Sequence, residues 1–480
     1  MNPQRRRFCS VWFLTAVVVV QTGVTGYAQG PACDIRPAPS CGVGSDGYFN
    51  GSATGGGTYG AGGEPFVDSP FDLGEAGPAQ IGDSFAADAP NMIGDSTFGG
   101  CGGLFVGGVL AASIPHPIYA CSRLNIAENN SPIVRDRVYF TYRHFHNATP
   151  LDIFSYSPQG LANDLNIDVF TLAFEKRIAL SSIEVRMPIN RQFTSSPVFL
   201  QGTGGFPDTP ASPNVYDRSV NNLDTVLNDV EGSLGNISVI FKRELAQTQT
   251  TYISGGIGVN LPTAPDVNIS GQIRDQNFPI FDPLNPLAQP GRANVNVGFG
   301  GIYRNETVSL QPFLAMVHSP TPDTFFQGFL QVDVPVNASP GEVSIDVVDV
   351  AGSGPASRRF AGTLPLQTLL RMNLGAGRWL YRDDDAQYLR AAGVMFEAHY
   401  TTTLNDASIA TIDPGISLPG NPISVSFGNI ANRVDSVNLA LGVPLQIGLT
   451  TFYNGFVVPV TEFPNRGFNF EYALTVNRAF

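Results

Sequence analysis

The end of the chain, from Gly467 to Phe480, alternates between apolar and polar residues. One face carries Phe468, Phe470, Tyr472, Leu474 and Val476. The opposite face carries Asn469, Glu471, Ala473, Thr475 and Asn477. Successive side chains of a β-strand point to opposite faces, so this pattern predicts a strand with one apolar face and one polar face. In a soluble sandwich the apolar face turns to a core, whereas in a membrane barrel it turns to lipid and the polar face lines the lumen.

The chain stops on a terminal aromatic residue with no polar tail after it. This ending resembles the C-terminal signal of bacterial outer-membrane barrels, in which a terminal Phe follows apolar or aromatic residues at every second position. The matching residues are Tyr472, Leu474, Val476 and Phe480. The resemblance implies recognition of this strand by the barrel-assembly machinery. Arg478 departs from the pattern and is expected at the membrane edge, where its long side chain reaches water. The competing interpretation is a secreted all-β domain that happens to end in Phe.

Residues 1–28 have the features of a secretory signal peptide. Arg5 to Arg7 form a basic start, Val11 to Val20 form an apolar run, and the small residues Gly26 and Ala28 occupy the cleavage positions. No other stretch approaches the roughly 20 apolar residues of a membrane helix. Export without such a helix leaves a soluble exported protein or a β-barrel, and a barrel of this kind is expected in the bacterial cell outer membrane.

The composition favours the barrel and excludes one class of partner. Charged residues make up 14% of the chain and the net charge is −13. An acidic surface repels phosphate groups, so a nucleic-acid partner is not expected. Low charge with 43% hydrophobic residues suits strands in which half of the side chains are polar. The expected partners are outer-membrane lipid and a small-molecule solute.

The segment before the first clear strand, residues 29–130, predicts an irregular, Gly-rich, cysteine-containing arm or plug. The chain has five cysteines, and four remain once the predicted signal peptide with Cys9 is removed. An even number of cysteines in an exported protein predicts disulfides, here with three possible pairings. The candidates are Cys33, Cys41, Cys101 and Cys121. A metal site is the alternative, but these spacings match no known ligand pattern and no His clusters with them.

One short sequence in this arm occurs twice. Ile81-Gly82-Asp83-Ser84 is repeated as Ile93-Gly94-Asp95-Ser96. Two copies are too few to indicate a repeat architecture, because stacked repeats need at least three units to bury a continuous core.

From Arg137 onward the hydrophobic period is two, and residues 131–480 are predicted to form the barrel. The predicted fold is all-β, a transmembrane antiparallel β-barrel of about 14 strands, joined by links that are mainly alternately short and long. Val343 to Val350 alternates poorly, and losing it with one neighbour gives 12 strands as the alternative. The candidate strands are Arg137 to Phe145, Ile167 to Lys176, Ser181 to Ile189, Asn236 to Arg243, Thr251 to Leu261, Ala293 to Tyr303, Val308 to Met316, Phe325 to Val336, Val343 to Val350, Thr368 to Tyr381, Leu389 to Thr402, Val437 to Leu445, Leu449 to Val460 and Gly467 to Phe480.

Polar residues on the inner faces of these strands are candidates to line the lumen. They are Arg137, Arg143, Glu184, Arg186, Arg371, Asn373, Glu397, His399 and Glu471. Both signs of charge occur, which predicts a mixed constriction rather than a strong ion filter. The assignment depends on register, since a slip of one residue turns every side chain of a strand to the other face.

The sequence contains little that indicates catalysis. His144 and His146 share a strand face but have no third ligand nearby, so we interpret them as a polar pair at the rim. Glu397 and His399 also share a face, without a recognisable nucleophile beside them. We therefore predict no enzymatic activity, no catalytic residues, no metal site and no cofactor, and a barrel enzyme is kept only as a minor alternative.

Three segments resemble a known family. Ser254 to Thr263, a Gly-rich strand ending in Leu-Pro-Thr, resembles a strand of outer-membrane transporters of the phenol-degradation-pathway family, which are similar to the long-chain fatty acid transporter class. Gln367 to Tyr381, with its Gly-Ala-Gly-Arg-Trp-Leu-Tyr end, and Phe396 to Tyr400 also resemble strands of that group. The resemblance implies a barrel of about 12–14 strands that passes hydrophobic small molecules past an N-terminal plug. The fatty acid class begins with an Asn-Pro-Phe plug motif, and the nearest sequence here is Glu64-Pro65-Phe66.

Taken together, the sequence predicts an outer-membrane β-barrel that passes small, hydrophobic solutes. The alternatives are a general diffusion porin and a structural or surface barrel without transport. A plugged, partly apolar lumen favours the transporter, an open polar eyelet favours the porin, and a lumen filled by side chains favours the structural role. The substrate and the oligomeric state stay open.

Overall fold

The computed structural model describes residues 89–95, 103–106, 109–113, 123–148, 166–192, 223–227, 233–280, 291–350, 356–383, 385–412, 417–418, 421–422, 425–428, 433–462 and 465–480. They all fall within one unit, Ala76–Phe480. The predicted signal peptide and the four disulfide candidates lie outside the described residues. Within the described ranges, no helix is long and apolar enough to cross a membrane.

The main sheet is a closed barrel of twelve antiparallel strands. Each strand pairs with its neighbours in sequence, and the last strand pairs with the first, from Phe470 opposite His146 to Ala479 opposite Arg137. Closure satisfies the backbone groups of both edge strands, which hydrocarbon surroundings require. The strands are β1 (Arg137–His146), β2 (Ile167–Ile178), β3 (Ser181–Gln192), β4 (Ser238–Gln247), β5 (Thr251–Asn260), β6 (Ser309–Thr321), β7 (Thr324–Pro335), β8 (Leu369–Arg382), β9 (Leu389–Thr403), β10 (Asp435–Ile447), β11 (Thr450–Pro459) and β12 (Phe470–Ala479).

The predicted all-β fold and antiparallel barrel are confirmed, but the count of 14 strands is wrong and the alternative of 12 is correct. Ala293 to Tyr303 and Val343 to Val350 do not enter the barrel. The strands that contain them, Gly291–Tyr303 and Ser339–Val350, pair with each other in a separate sheet. A period of two is the same in a barrel strand and in a hairpin that extends beyond the barrel, so the alternation could not separate them.

The separate sheet, called here the outer sheet, lies at the barrel end where the connections are long. It is built from the two hairpins between β5 and β6 and between β7 and β8, with one strand from the β3–β4 connection. In spatial order its strands are Ala356–Leu364, Ser339–Val350, Gly291–Tyr303, Val267–Ile280 and Leu223–Leu227.

Short strands complete the described structure. The arm strands Gly103–Val106 and Val109–Ser113 form a sheet with Ile409–Ile412 and Val425–Gly428 from the β9–β10 connection. Two further pieces are the Ser417–Leu418 and Asn421–Pro422 pair and Ser233–Leu234, which pairs with β3 at Ile189 and Asn190.

The two ends of the barrel differ in their connections. At one end, called here the short-turn end, tight turns such as those at Ala179 and Gly448 join consecutive strands, and both of these residues have positive φ (54° and 57°). At the other end, the long-loop end, the chain makes long excursions. This asymmetry is typical of outer-membrane barrels.

The barrel wall is apolar outside and polar inside. On its outer face Leu374, Phe396 and Leu441 are 65%, 51% and 58% exposed, whereas the inward residues Arg371 and Glu397 are fully buried. A continuous band of exposed large hydrophobic side chains is stable against lipid rather than against water.

Two segments that precede β1 lie inside the barrel. Residues 89–95 and 123–134, called here the plug segments, are buried along almost their whole length. They are joined by backbone hydrogen bonds from Met92 N to Asn130 O (2.8 Å) and from Asn129 N to Ile93 O (3.2 Å). The lumen at this level is therefore filled by chain rather than open.

Candidate functional site

The residues predicted to line the lumen all have buried side chains on the inner face of the wall. They are Arg137, Arg143, Glu184, Arg186, Arg371, Asn373, Glu397, His399 and Glu471. Almost all of them contact the plug segments or one another rather than an open channel. They fall into three groups along the barrel axis.

The first group, the short-turn cluster, consists of Arg137, Glu175, Glu184, Arg186 and Lys242. Arg137 bonds Glu175 (Nε–Oε2 2.6 Å) and Glu184 (Nη2–Oε2 3.2 Å). Lys242 lies 3.0 Å from the Glu175 carboxylate, and Arg186 lies 2.7 Å from that of Glu184. Each carboxylate therefore has two cationic partners.

The cations of the short-turn cluster also hold the plug backbone. Arg137 donates to Asn129 O (2.7 Å) and Lys242 donates to Ser131 O (2.8 Å). Arg186 donates to the carbonyl oxygens of Asn125 (3.1 Å) and Ile126 (3.3 Å). The N–H groups of these cations that do not reach the two carboxylates thus donate to plug carbonyl oxygens.

The second group binds the backbone N–H groups and the carbonyl of the plug at Ile93 and Gly94, and is called here the Ile93 site. Glu397 accepts the backbone N–H of Ile93 (2.6 Å) and that of Gly94 (2.9 Å) on its two carboxylate oxygens. Arg143 donates to Ile93 O (2.5 Å) and is itself paired with Glu471. Charge-assisted bonds of this kind are roughly twice as strong as neutral ones.

The wall is shaped for the Ile93 side chain. Gly442 and Gly455 oppose each other on β10 and β11, and a Cβ placed on either would lie 2.5 Å from Ile93 Cδ1. Gly94 has φ +65°, and a Cβ there would lie 2.5 Å from Glu128 Cα. Glycine is therefore required at all three positions, because plug and wall, or the two plug segments, approach too closely there for a Cβ.

The Ile93 site continues to Asp95 and His399. Asp95 accepts hydrogen bonds from Asn438 Nδ2 (2.7 Å) and Asn125 Nδ2 (2.7 Å). His399 lies 3.0 Å from Glu397 Oε2 through Nε2 and 2.8 Å from an Asn373 amide oxygen through Nδ1. His399 thus supports the carboxylate that binds the plug.

The third group, the long-loop cluster, consists of Arg123, Asp333 and Arg371 with Gln311 beside them. Arg123 and Asp333 are 2.6 Å apart, and Gln311 donates to the same carboxylate (3.2 Å). Arg371 approaches Asp333 only to 3.7 Å, and its three guanidinium nitrogens have no hydrogen-bond acceptor among the described residues.

A cavity of about 150 Å³ lies between residues 89–91 and the wall at the short-turn end. Its lining combines two aromatic residues and a Leu with polar groups, and includes Trp379, Tyr453, Leu449, Asn91, Arg135 and Asn477. An engineered apolar cavity of about this volume holds benzene, so a small molecule fits the space.

The residues of the predicted membrane-insertion signal lie on the outer surface. Tyr472, Leu474 and Val476 point outward from β12, and the Phe480 ring stacks on Phe174 with centroids 5.8 Å apart. Phe468, expected on the apolar outer face, is instead buried.

The two rim histidines also point outward at the long-loop end. His144 Nδ1 lies 2.7 Å from Asp168, and His146 stacks on Phe470. No group of three potential metal ligands is found in the part of the chain that the structure describes.

Sequence reasoning missed several buried partners. Glu175, Lys242 and Asp333 complete the short-turn and long-loop clusters, and all three are at most 1% exposed. Each lies on the inward face of its strand, so the same alternation could have identified them. The plug residues that contact the wall have no periodic signal, because they lie outside regular strands.

Comparisons with known proteins give no match to any family model. No curated protein matches the chain either. Among solved structures, the Ralstonia pickettii toluene transporter TbuX is similar over 76% of this chain and 98% of that chain, at 9% identity and a TM-score of 0.36. The CymD monoaromatic hydrocarbon channel is similar over 80% and 99%, at 8% identity and a TM-score of 0.37.

The β domain of the Bordetella autotransporter BrkA is similar over 72% of this chain and 100% of that chain, at 9% identity and a TM-score of 0.33.

Proposed function

We propose that the protein is an outer-membrane β-barrel that passes small, hydrophobic solutes around an internal plug. The observation that carries the proposal is a closed barrel with an apolar outer face whose lumen is filled by residues 89–95 and 123–134. A filled lumen admits only solutes that fit between plug and wall, so selection by size and polarity follows from the architecture.

The chemistry of the lumen supports a nonpolar solute over ions. Most inward charges of the described residues are taken up by pairing within the wall and with plug carbonyls, so these residues form no ring of free charge of the kind that selects ions. The short-turn cavity adds two aromatic rings and Leu449 to its lining. The Gly-rich strand and the Gly-Ala-Gly-Arg-Trp strand that carry the family resemblance also belong to this wall.

The second candidate is a structural barrel without transport, and the same filled lumen favours it. A general porin is the third candidate. Two measurements on the full chain separate the three. The first is conductance in a planar bilayer, and the second is uptake of the nonpolar dye N-phenylnaphthylamine by cells that express the barrel.

The matched pair of variants is Thr451→Trp and Thr450→Trp. Thr451 lines the short-turn cavity, whereas the adjacent Thr450 points to the other face of β11. We expect the wild-type protein to give no steady ohmic steps and to raise dye uptake above an empty-vector control. Thr451→Trp should lower uptake because it fills the cavity, and Thr450→Trp should not.

Large steady conductance of the wild-type protein would replace the proposal with a porin. Dye uptake equal to that of the empty vector, with folded barrel present in the membrane, would leave the structural role. An equal loss of dye uptake in Thr451→Trp and Thr450→Trp would mean that the solute does not pass through the cavity.

A further inference from the structure

The Ile93 site contacts three consecutive plug residues, and each contact uses a different property of the sequence Ile-Gly-Asp. The Ile side chain fills the space over Gly442 and Gly455. The Gly supplies a positive φ next to the Glu128 backbone, where no Cβ fits. The Asp carboxylate accepts the amide of Asn438. The site thus matches an apolar branched residue, a glycine and an acid, in that order.

The backbone contacts of the site fix the position of this tripeptide but not its identity. Glu397 binds the N–H groups of Ile93 and Gly94, and Arg143 binds the carbonyl of Ile93. Any segment with the same conformation offers these groups. Selectivity for a particular segment of chain thus resides in the three side-chain features.

The same three residues occur once more in the arm, as Ile81-Gly82-Asp83, twelve positions earlier. The agreement extends to Ser84 and Ser96 on one side. On the other side it extends to Pro78 and Pro90, so that both copies read Pro-X-X-Ile-Gly-Asp-Ser. The carbonyl of Pro90 also contacts the wall, since it accepts a hydrogen bond from Gln327 (3.0 Å). The first copy lies outside the described residues.

We propose that the Ile93 site is a peptide-binding site specific for Ile-Gly-Asp, and that Ile81-Gly82-Asp83 is its second ligand. The two copies then compete for one site on the wall. Twelve residues of chain span at most about 40 Å, and binding of the first copy moves the second copy away from Gly442 and Gly455. The plug has two registers, and the residues next to the short-turn cavity differ between them.

The two registers present different side chains to the cavity. Asn91 and Met92 precede the second copy, whereas Ala79 and Gln80 precede the first. Asn91 lines the cavity in the register described here. This inference concerns which segment binds the wall and does not depend on the proposed transport function.

The test is disulfide mapping in the full chain in native membranes. Asp83→Cys with Asn438→Cys reports the first copy at the site, because Asp95 and Asn438 are in contact in the second register. Oxidised protein is digested and the linked peptides are identified by mass spectrometry, which separates this product from pairs formed by native cysteines. The product is measured with and without Gly94→Ala.

Gly94→Ala should raise the link between positions 83 and 438 by roughly tenfold, because an Ala in the left-handed conformation disfavours the second copy. Asp88→Cys with Asn438→Cys is the control for general loosening of the plug, and its product should not rise. Asp95→Ala serves as a milder second variant, with a smaller rise expected.

Two results would overturn the proposal. One is the absence of the 83–438 product in both backgrounds while gel mobility shows a folded barrel and Asp95→Cys with Asn438→Cys, which lacks the same carboxylate and amide, does form its product. The other is an equal rise of the 88–438 control, which would mean that the plug loosens without binding its first copy. Neither result bears on dye uptake or conductance, so failure here is distinct from failure of the transport proposal.

Discussion

The buried charged side chains at the two ends of the lumen differ in how completely they are paired. In the short-turn cluster every charged group has an ionic partner, and the remaining N–H groups of Arg137, Arg186 and Lys242 reach plug carbonyls. In the long-loop cluster Asp333 is paired with Arg123, while Arg371 is fully buried without a hydrogen-bond acceptor among the described residues.

This difference indicates which charged side chains hold the plug in place. Removing a charge from water costs several kcal/mol, and the loss is offset only where geometry and additional hydrogen bonds are good. The short-turn cluster meets this condition only with residues 125–131 in place, so it acts as a clamp on the plug. Arg371 in the long-loop cluster does not meet it, and its contribution to stability should be small.

The largest effect is expected for Arg137→Met. The change leaves Glu175 and Glu184 each with one cation fewer and removes the bond to Asn129 O. Breaking a buried pair on one side costs about 3–5 kcal/mol. The free energy of unfolding in urea, with the barrel in lipid vesicles, measures the change. A loss below about 1 kcal/mol would contradict the clamp.

An intermediate effect is expected for Gly442→Val, which tests the region between the two clusters. The added side chain overlaps Ile93 and the Tyr453 ring, whose nearest atoms lie 2.5 Å from a Cβ at this position. Overpacking of this kind costs about 1–3 kcal/mol. Leu441→Val, on the lipid-facing side of the same strand, is the control and should change the free energy of unfolding by less. Equal effects would argue against close packing of plug and wall.

A smaller effect is expected for Arg371→Met, which is the direct counterpart of Arg137→Met. Asp333 keeps Arg123 and Gln311 as partners, and the change removes a buried cation that has no hydrogen-bond acceptor among the described residues. The free energy of unfolding should change by less than about 1 kcal/mol, or rise. If this variant loses as much stability as Arg137→Met, the two ends are equivalent and the comparison fails.

The smallest effect is expected at Asp136, next to β1 at the short-turn end. Although partial burial works in the opposite direction, the Arg177 N–H and the Lys176 ammonium hold the pKa of Asp136 below its usual value. A lowered pKa stabilises the folded state above the unfolded pKa of about 3.9, and this contribution disappears as pH falls through the folded value. Asp136→Asn should therefore be slightly less stable than wild type at pH 7 and equal to it near pH 2. A difference that grows on acidification would contradict this assignment.

Much of the wall could be predicted because apolar and polar residues alternate within each strand. In β12 the inward positions of Glu471 and Thr475 and the outward positions of Leu474 and Val476 follow from alternation alone. The same rule holds for Arg371 in β8 and Glu397 in β9. Period two fixes which side chains share a face, and closure then decides that the polar face is the inner one.

The plug contacts could not be predicted in this way. Ile93 and Glu397 are 304 residues apart in sequence, and Arg123 and Asp333 are 210 apart. Neither Ile93 nor Arg123 lies in a periodic segment. The wall glycines Gly442 and Gly455 are visible in the sequence, but only the fold shows that they face a plug side chain.

The sequence by itself determined the all-β class and which side chains of each barrel strand share a face, because alternation is a local property of neighbouring residues. Only the tertiary structure decided that Gly291–Tyr303 and Ser339–Val350 leave the barrel and pair with each other. It alone also decided which buried charges find partners. Both outcomes depend on contacts between segments far apart in the chain, where strand pairing and ion pairing compete over the whole fold rather than within one strand.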